Sequence, residues 1–131
     1  ADDGIFLLHT IGSVDKPGSG QPFIQKYIFP GGIIPSLSDM VKPIEKTGLI
    51  VADCETLIHH YDKTLKAWLE RFLKNKDKAK YLYNKEFVRM WEFYLASCSA
   101  AFKFRDLVVY RLQLVKNYTA PPSSRRNYIY Q

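Results

Sequence analysis

Cysteine is scarce: Cys54 and Cys98 are the only two in 131 residues. Two thiols cannot make the disulfide framework of a small secreted domain. Both sit in apolar patterns, which predicts reduced core residues in a cytoplasmic protein. Long apolar runs are missing too: no eighteen consecutive apolar residues occur, so no segment reads as a transmembrane helix. The opening ADDGIFLLHT lacks the basic leader of a secretory signal. Gly18-Ser19-Gly20 has neither the third glycine nor the preceding strand of a dinucleotide loop, so it is rejected as a nucleotide site. His59 and His60 beside Cys54 match no zinc spacing, and no metal site is read there.

What is present is apolar and aromatic. Composition is 47% hydrophobic and 15% aromatic, with nine Tyr, eight Phe and two Trp, which suits one globular domain. The net charge of +6 is unevenly placed. Residues 1–59 hold four Lys against seven Asp/Glu, a balance of −3. Residues 60–131 hold fifteen Lys/Arg against six Asp/Glu, a balance of +9. A basic, aromatic-rich half suits an anionic partner, nucleic acid or an anionic lipid surface; solvated helix faces would look the same from charge alone.

The strongest periodic signal runs from Phe87 to Phe104. Phe87, Trp91, Tyr94 with Leu95, Cys98 and Phe102 share one helical stripe, which Met90, Phe93 and Ala101 widen. Arg89, Glu92, Ser99 and Lys103 fall on the other side. Asn84 stands at the N-cap position, where its carbonyl can accept from a free first-turn N–H. A second helix is predicted over about His60 to Leu73, with Tyr61, Leu65, Trp68, Leu69 and Phe72 on one face. Lys74 to Lys80 reads as a charged connector.

Ile5 to Leu8 is a continuous apolar run, predicted as a strand buried on both faces with His9-Thr10-Ile11-Gly12 at its C-terminal end. A histidine at a strand's carboxyl end is either a ligand-site residue or a structural one bonded to nearby backbone. Phe23 to Phe29 allows one or two helical turns before Pro30-Gly31-Gly32 stops them. That aromatic segment on a glycine hinge reads as a lid or as a tight turn packed on the core. Ser36-x-x-Asp39 has capping-box form and opens a helix that Pro43 shortens or kinks, with Gly48 at its stop. Leu49 to Leu57 and Leu107 to Lys116 are further strands. In the last, Val108, Tyr110, Leu112 and Leu114 face one way, while Arg111 and Gln113 face the other. Tyr118 to Gln131 reads as an irregular or mobile tail. The result is an α/β domain over 1–117 that looks like part of a larger one, with an unpaired edge on its first strand.

Four segments then fall in a familiar order and spacing. They are His9-Thr10-Ile11-Gly12; Tyr27-Ile28-Phe29-Pro30-Gly31-Gly32 with Pro35-Ser36; His60-Tyr61-x-x-Thr64-Leu65-x-x-Trp68-x-x-Arg71-Phe72; and Arg89-Met90-Trp91-Glu92-Phe93-Tyr94-Leu95 with Cys98. Together they closely resemble the C-terminal part of the cyclopropane-fatty-acyl-phospholipid synthases and mycolic acid cyclopropane synthases, from Gly4 to about Lys116. The resemblance implies an S-adenosylmethionine-dependent methyltransferase that adds a methylene across a cis double bond of a phospholipid acyl chain. It implies the class I methyltransferase (Rossmann-like) fold, of which this chain would supply a three-stranded mixed sheet with an antiparallel last strand, plus helices. The family's Gly-rich cofactor loop and acidic ribose-binding residue lie upstream, so no cofactor-binding residue is expected in this piece, and it should not be active alone.

The resemblance also implies a bound bicarbonate held by His9, the backbone of Ile11 and the Tyr61 hydroxyl. Alkylating an alkene leaves a carbocation that water would trap, so the pocket must be dry. Aromatic faces stabilise a cation by about 0.5–2 kcal/mol each. Tyr27, Phe29 and Trp68, with the Gly31-Gly32 hinge, are the candidate substrate-pocket or lid residues beside Tyr61. The expected partner is unsaturated phospholipid at the inner face of the membrane, with the enzyme peripheral to it and no nucleic acid involved. The exposed first strand predicts a homodimer, strand-mediated or swapped. Two other functions stay open: a non-enzymatic basic binding module, and a relative that methylates lipids without closing the ring.

Overall fold

The computed structural model describes residues 2–15, 21–120 and 125–129. The rejected glycine pair at 18–20 lies outside them. The elements in chain order are β1 (Ile5–Ser13), α1 (Pro22–Tyr27), α2 (Leu37–Lys46), β2 (Ile50–Leu57), α3 (His60–Lys74), α4 (Lys76–Leu82), α5 (Lys85–Phe104) and β3 (Leu107–Val115), followed by a 3₁₀ turn at Arg126–Ile129.

The sheet order is β1-β3-β2. Both pairings are antiparallel, so the expected mixed sheet is corrected: β1 and β2 run the same way but never touch, because the last strand inserts between them. Alternation along β3 sends its two sets of side chains into two separate cores. Val108, Tyr110, Leu112 and Leu114 pack with Met40 of α2, and Leu8, Leu37 and Ile44 close that layer. On the other face Val109 packs with Leu65 of α3 and with Leu95 and Phe102 of α5.

The helices begin and end where local chemistry directs. Asn84 Oδ1 accepts from the Phe87 N–H at 2.7 Å, and α5 starts one residue later. The Ser36 N–H and hydroxyl both donate to Asp39 Oδ2, at 2.8 and 2.6 Å. These bonds hold the Asp39 carboxyl below its usual range. α2 runs through Pro43 to Lys46, and Gly48 takes the positive φ of 77° that lets the chain turn away.

Several expectations are corrected. β1 extends through His9 to Ser13, so His9 lies within the strand and not beyond its end. Nor is β1 buried on both faces: Ile5, Phe6 and Leu7 are 48%, 54% and 58% exposed. Its only strand partner among the described residues is β3, and no helix covers that end. The charged connector is helical over Lys76–Leu82, as Lys, Ala and Leu all favour helix. Within α5, Ser99 is buried and Phe93 is 53% exposed, the reverse of the sides assigned to them. Cys54 is exposed on β2, not a core residue, and Cys98 is half-buried.

Of the tail, residues 118–120 and 125–129 are described. Arg126 pairs with Asp53 at 2.8 Å, and the Tyr128 hydroxyl donates to Gln113 Oε1 at 2.7 Å. The 3₁₀ turn is thereby fastened over the polar residues of β2 and β3.

Candidate active site

A cavity of about 770 Å³ opens between β1, α1, α3 and α5. β1 contributes His9, Thr10 and Ile11; α1 contributes Ile24 and Gln25; α3 contributes Tyr61 and Leu65. Tyr94, Cys98 and Phe102 come from α5, with Phe29 and Gly32 from the hinge and Arg105 at the rim. The sequence-derived trio of His9, Ile11 and Tyr61, about fifty residues apart in the chain, therefore lines one cavity.

The backbone of β1 adds a free donor. The Val14 N–H donates to Asp106 of the turn before β3, whereas the Ser13 N–H donates the other way, to the Pro35 carbonyl at 2.9 Å. Backbone donors alternate sides along a strand. The Ile11 N–H, two residues before Ser13, thus points to the outer edge and is not spent on β3. Gly12 is required beside it: a Cβ there would lie 2.4 Å from Tyr110 Cδ2 and 2.9 Å from the Pro35 carbonyl. The Tyr110 hydroxyl donates to the Ser13 carbonyl at 3.1 Å and braces the end of the strand.

Tyr61 is set by its neighbours. His59, at φ 60°, is the one positive-φ non-glycine residue among those described, and it turns the chain from β2 into α3. The Tyr61 ring contacts Phe102 at 5.2 Å between centroids and meets Trp68 edge-on at 5.9 Å. The next residue, Asp62, is buried. Lys66 Nζ donates to its Oδ2 at 2.7 Å and Ser99 Oγ to its Oδ1 at 2.5 Å. Those two bonds, that of Lys66 foremost, hold the Asp62 carboxyl below its usual range.

The hinge is clamped rather than loose. Gln25 Oε1 accepts from the Gly31 N–H at 3.2 Å, and Gln25 Nε2 donates to the Gly32 carbonyl. Gly31 has φ 75°. Phe29 reaches across to Tyr94, with centroids 6.2 Å apart. Burial pushes the Tyr94 phenol up, with Cys98 and Tyr61 adding to it. Burial likewise pushes the Cys98 thiol up to about 11, against a smaller pull from the Ser97 hydroxyl. Both shifts follow from the partial burial of these two side chains.

Of the candidate residues, His9, Ile11, Tyr61, Phe29 and Gly32 line the cavity; Tyr27, Gly31 and Trp68 do not. Tyr27 packs on Phe23 at 5.3 Å, and Trp68 stands behind Tyr61. Gln25, Tyr94 and Cys98 were missed as wall residues. The fit to a small anion rests on donor chemistry: an imidazole, an uncommitted backbone N–H and a phenol converge on one cavity. No described residue supplies a glycine-rich phosphate loop, and no cofactor step is assigned to this chain.

An α/β piece with an antiparallel last strand and a cavity between β1 and the helices has the form of the C-terminal part of a methyltransferase-type fold. The family described as "Mycolic acid cyclopropane synthetase" matches residues 1–112, and the chain belongs to that family of S-adenosylmethionine-dependent methyltransferases. It is 39% identical over 110 residues to the cyclopropane-fatty-acyl-phospholipid synthase of Escherichia coli K12, covering 84% of this chain and 28% of that protein. It is 41% identical over 104 residues to the tuberculostearic acid methyltransferase UfaA1 of Mycobacterium tuberculosis, covering 78% and 24%. Among solved structures, the mycolic acid cyclopropane synthase CmaA1 complexed with SAH and CTAB matches with a TM-score of 0.75 and 28% identity. That match covers 85% of this chain and 44% of the solved one. The chain thus spans about a quarter of the length of these two curated relatives.

Proposed function

We propose that the complete protein containing this chain cyclopropanates cis double bonds of phospholipid acyl chains. The observation that supports the reading is that His9, Ile11 and Tyr61 all line the same cavity. When bound, the sulfonium cofactor supplies the methyl group and bicarbonate supplies a base. With both bound, methyl transfer from sulfur to the alkene and loss of one proton from that methyl group to the base would yield the ring. The residues here have three tasks. The imidazole of His9, the Ile11 N–H and the Tyr61 hydroxyl fix a small anion by donating to it. Leu65, Phe102 and Tyr94 exclude water from the developing cation. Phe29 and the Gln25-clamped hinge close the cavity on the acyl chain.

Activity is expected of the complete protein and not of this piece, which lacks the cofactor loop. An acyl-chain substrate supports a protein peripheral to the membrane, in this reading at its cytoplasmic surface. The open edge of β1 supports self-association of this piece, strand-mediated or swapped, which sedimentation against concentration tests.

The test is turnover by the complete protein on vesicles of unsaturated phospholipid with S-adenosylmethionine. Proton NMR of the product separates a ring methylene from a branch methyl or an exocyclic methylene. No modified lipid from a folded enzyme would sink the reading. A second reading, methylation without ring closure, is favoured by the 41% identity to a relative named as a tuberculostearic acid methyltransferase; the same spectrum decides between them.

A further inference from the structure

We propose that the end of the molecule formed by the close of α3, all of α4 and the start of α5 is a docking surface for an anionic phospholipid bilayer; this rests on the lipid reading above. Residues 74–85 hold Lys74, Lys76, Lys78, Lys80 and Lys85 against one acidic residue, Asp77, a balance of +4. Lys76 is engaged, bonding Glu92 at 3.0 Å and so fixing α4 onto α5. Lys74, Lys78, Lys80 and Lys85 are exposed and enter none of the salt bridges among the described residues.

Large apolar side chains stand among these charges. Tyr81, Leu82 and Tyr83 are 89%, 62% and 65% exposed. Ala79 is the least exposed residue of α4. At 100° per residue Tyr81 projects from the opposite face, with Lys78 and Lys80 on either side of it. Lysine heads around exposed Tyr and Leu match the interfacial zone of a bilayer, where phosphates take the charge and the shallow acyl region takes the rings. A nucleic-acid reader would share the charge; the exposed Leu82 adds an apolar side chain that the shallow acyl region takes up.

Continuity with the cavity supports the same occupant. Tyr83 stacks on Phe87 with centroids 4.3 Å apart, Phe87 on Trp91 at 5.8 Å, and Trp91 meets Tyr94 at 5.0 Å. Tyr94 is a wall residue of the cavity. An unbroken line of rings therefore leads from the basic end to the proposed site of the acyl chain. Docking there sets the cavity's contents beside the membrane from which they come.

The experiment is co-sedimentation of the complete protein, without cofactor, with vesicles of saturated phosphatidylcholine, alone or mixed with phosphatidylglycerol. Binding is expected only to the mixed vesicles and to weaken as salt rises. Reversing two charges, K78E with K80E, should weaken it by at least about tenfold, since each lysine contributes roughly a factor of five near such a surface. Tyr81→Ser with Leu82→Ser should weaken it while keeping the salt dependence. K42E with K46E, on α2, should stay within about twofold. Equal binding by K78E/K80E and the unaltered protein would overturn the proposal, as would equal binding to phosphatidylcholine alone. Vesicle binding needs no turnover, so failure of the surface and failure of the proposed reaction are read separately.

Discussion

Ser99 donates its hydroxyl to Asp62 Oδ1 at 2.5 Å across 37 residues of chain, tying the first turn of α3 to the C-terminal half of α5. Tyr61 is the residue next to that tie. Removing the hydroxyl by Ser99→Ala should lower the melting temperature by a few degrees and reduce turnover of the complete protein by loosening Tyr61. Circular dichroism melts and lipid turnover check the two effects. The Asp62 carboxyl is held low in the folded state, by Lys66 first and Ser99 second. Its stabilisation is therefore present above the ordinary carboxylate pKa and lost as pH falls through the lowered folded value. Ser99→Ala should differ most from the unaltered protein at neutral pH and converge with it in acid.

Tyr61→Phe keeps the ring that packs on Phe102 and Trp68 and deletes only the proposed donor. Turnover should fall by about a hundredfold or more, with the melting temperature nearly unchanged. An active Tyr61→Phe enzyme would remove the phenol from the proposed anion site.

Gly12→Ala places a methyl group against the Tyr110 ring and the Pro35 carbonyl. Such overpacking costs about 1–3 kcal/mol, to be measured by urea denaturation. Tyr110→Phe loses the bond to the Ser13 carbonyl, at about 1 kcal/mol. Made together, they should cost less than their sum, because each loosens the contact the other disturbs.

Asn84→Ala removes the cap of α5 and should cost about 1 kcal/mol. Asn84→Asp keeps an acceptor for the Phe87 N–H and should recover most of that loss.

Cys98 should resist alkylation at neutral pH. Its thiol is pushed up to about 11 by burial, so the thiolate that reacts is scarce. The rate of iodoacetamide labelling at Cys98, followed by peptide mass, should still be climbing at pH 10.

How far the sequence foretold this depends on the range over which each feature is set. The caps of α2 and α5, the stop at Gly48 and the two faces of β3 follow from neighbours within a few residues, and all were legible. The placing of His9, Ile11 and Tyr61 together was legible only through resemblance, since no local pattern brings β1 to α3. The errors arose where distant partners decide. Ser99 is a small polar residue four positions after Leu95, and only its pairing with Asp62 explains its burial. The apolar run Ile5–Leu8 looked doubly covered because hydrophobicity records the need for cover, not its source. Gln25 was invisible as a clamp because its partners, Gly31 and Gly32, are reached by a turn that composition does not specify.

The outward row of amides on β1 carries a geometric constraint. Any strand laid against that margin can engage Ile5, Leu7 and His9, but the donor of Ser13 is already taken by Pro35. If the Ile11 amide serves an anion, a neighbouring strand must terminate or bulge before reaching it. The length of the adjoining segment in the complete enzyme is then dictated by the reaction and not by the sheet, and extending it by two pairing residues would silence chemistry while improving the fold.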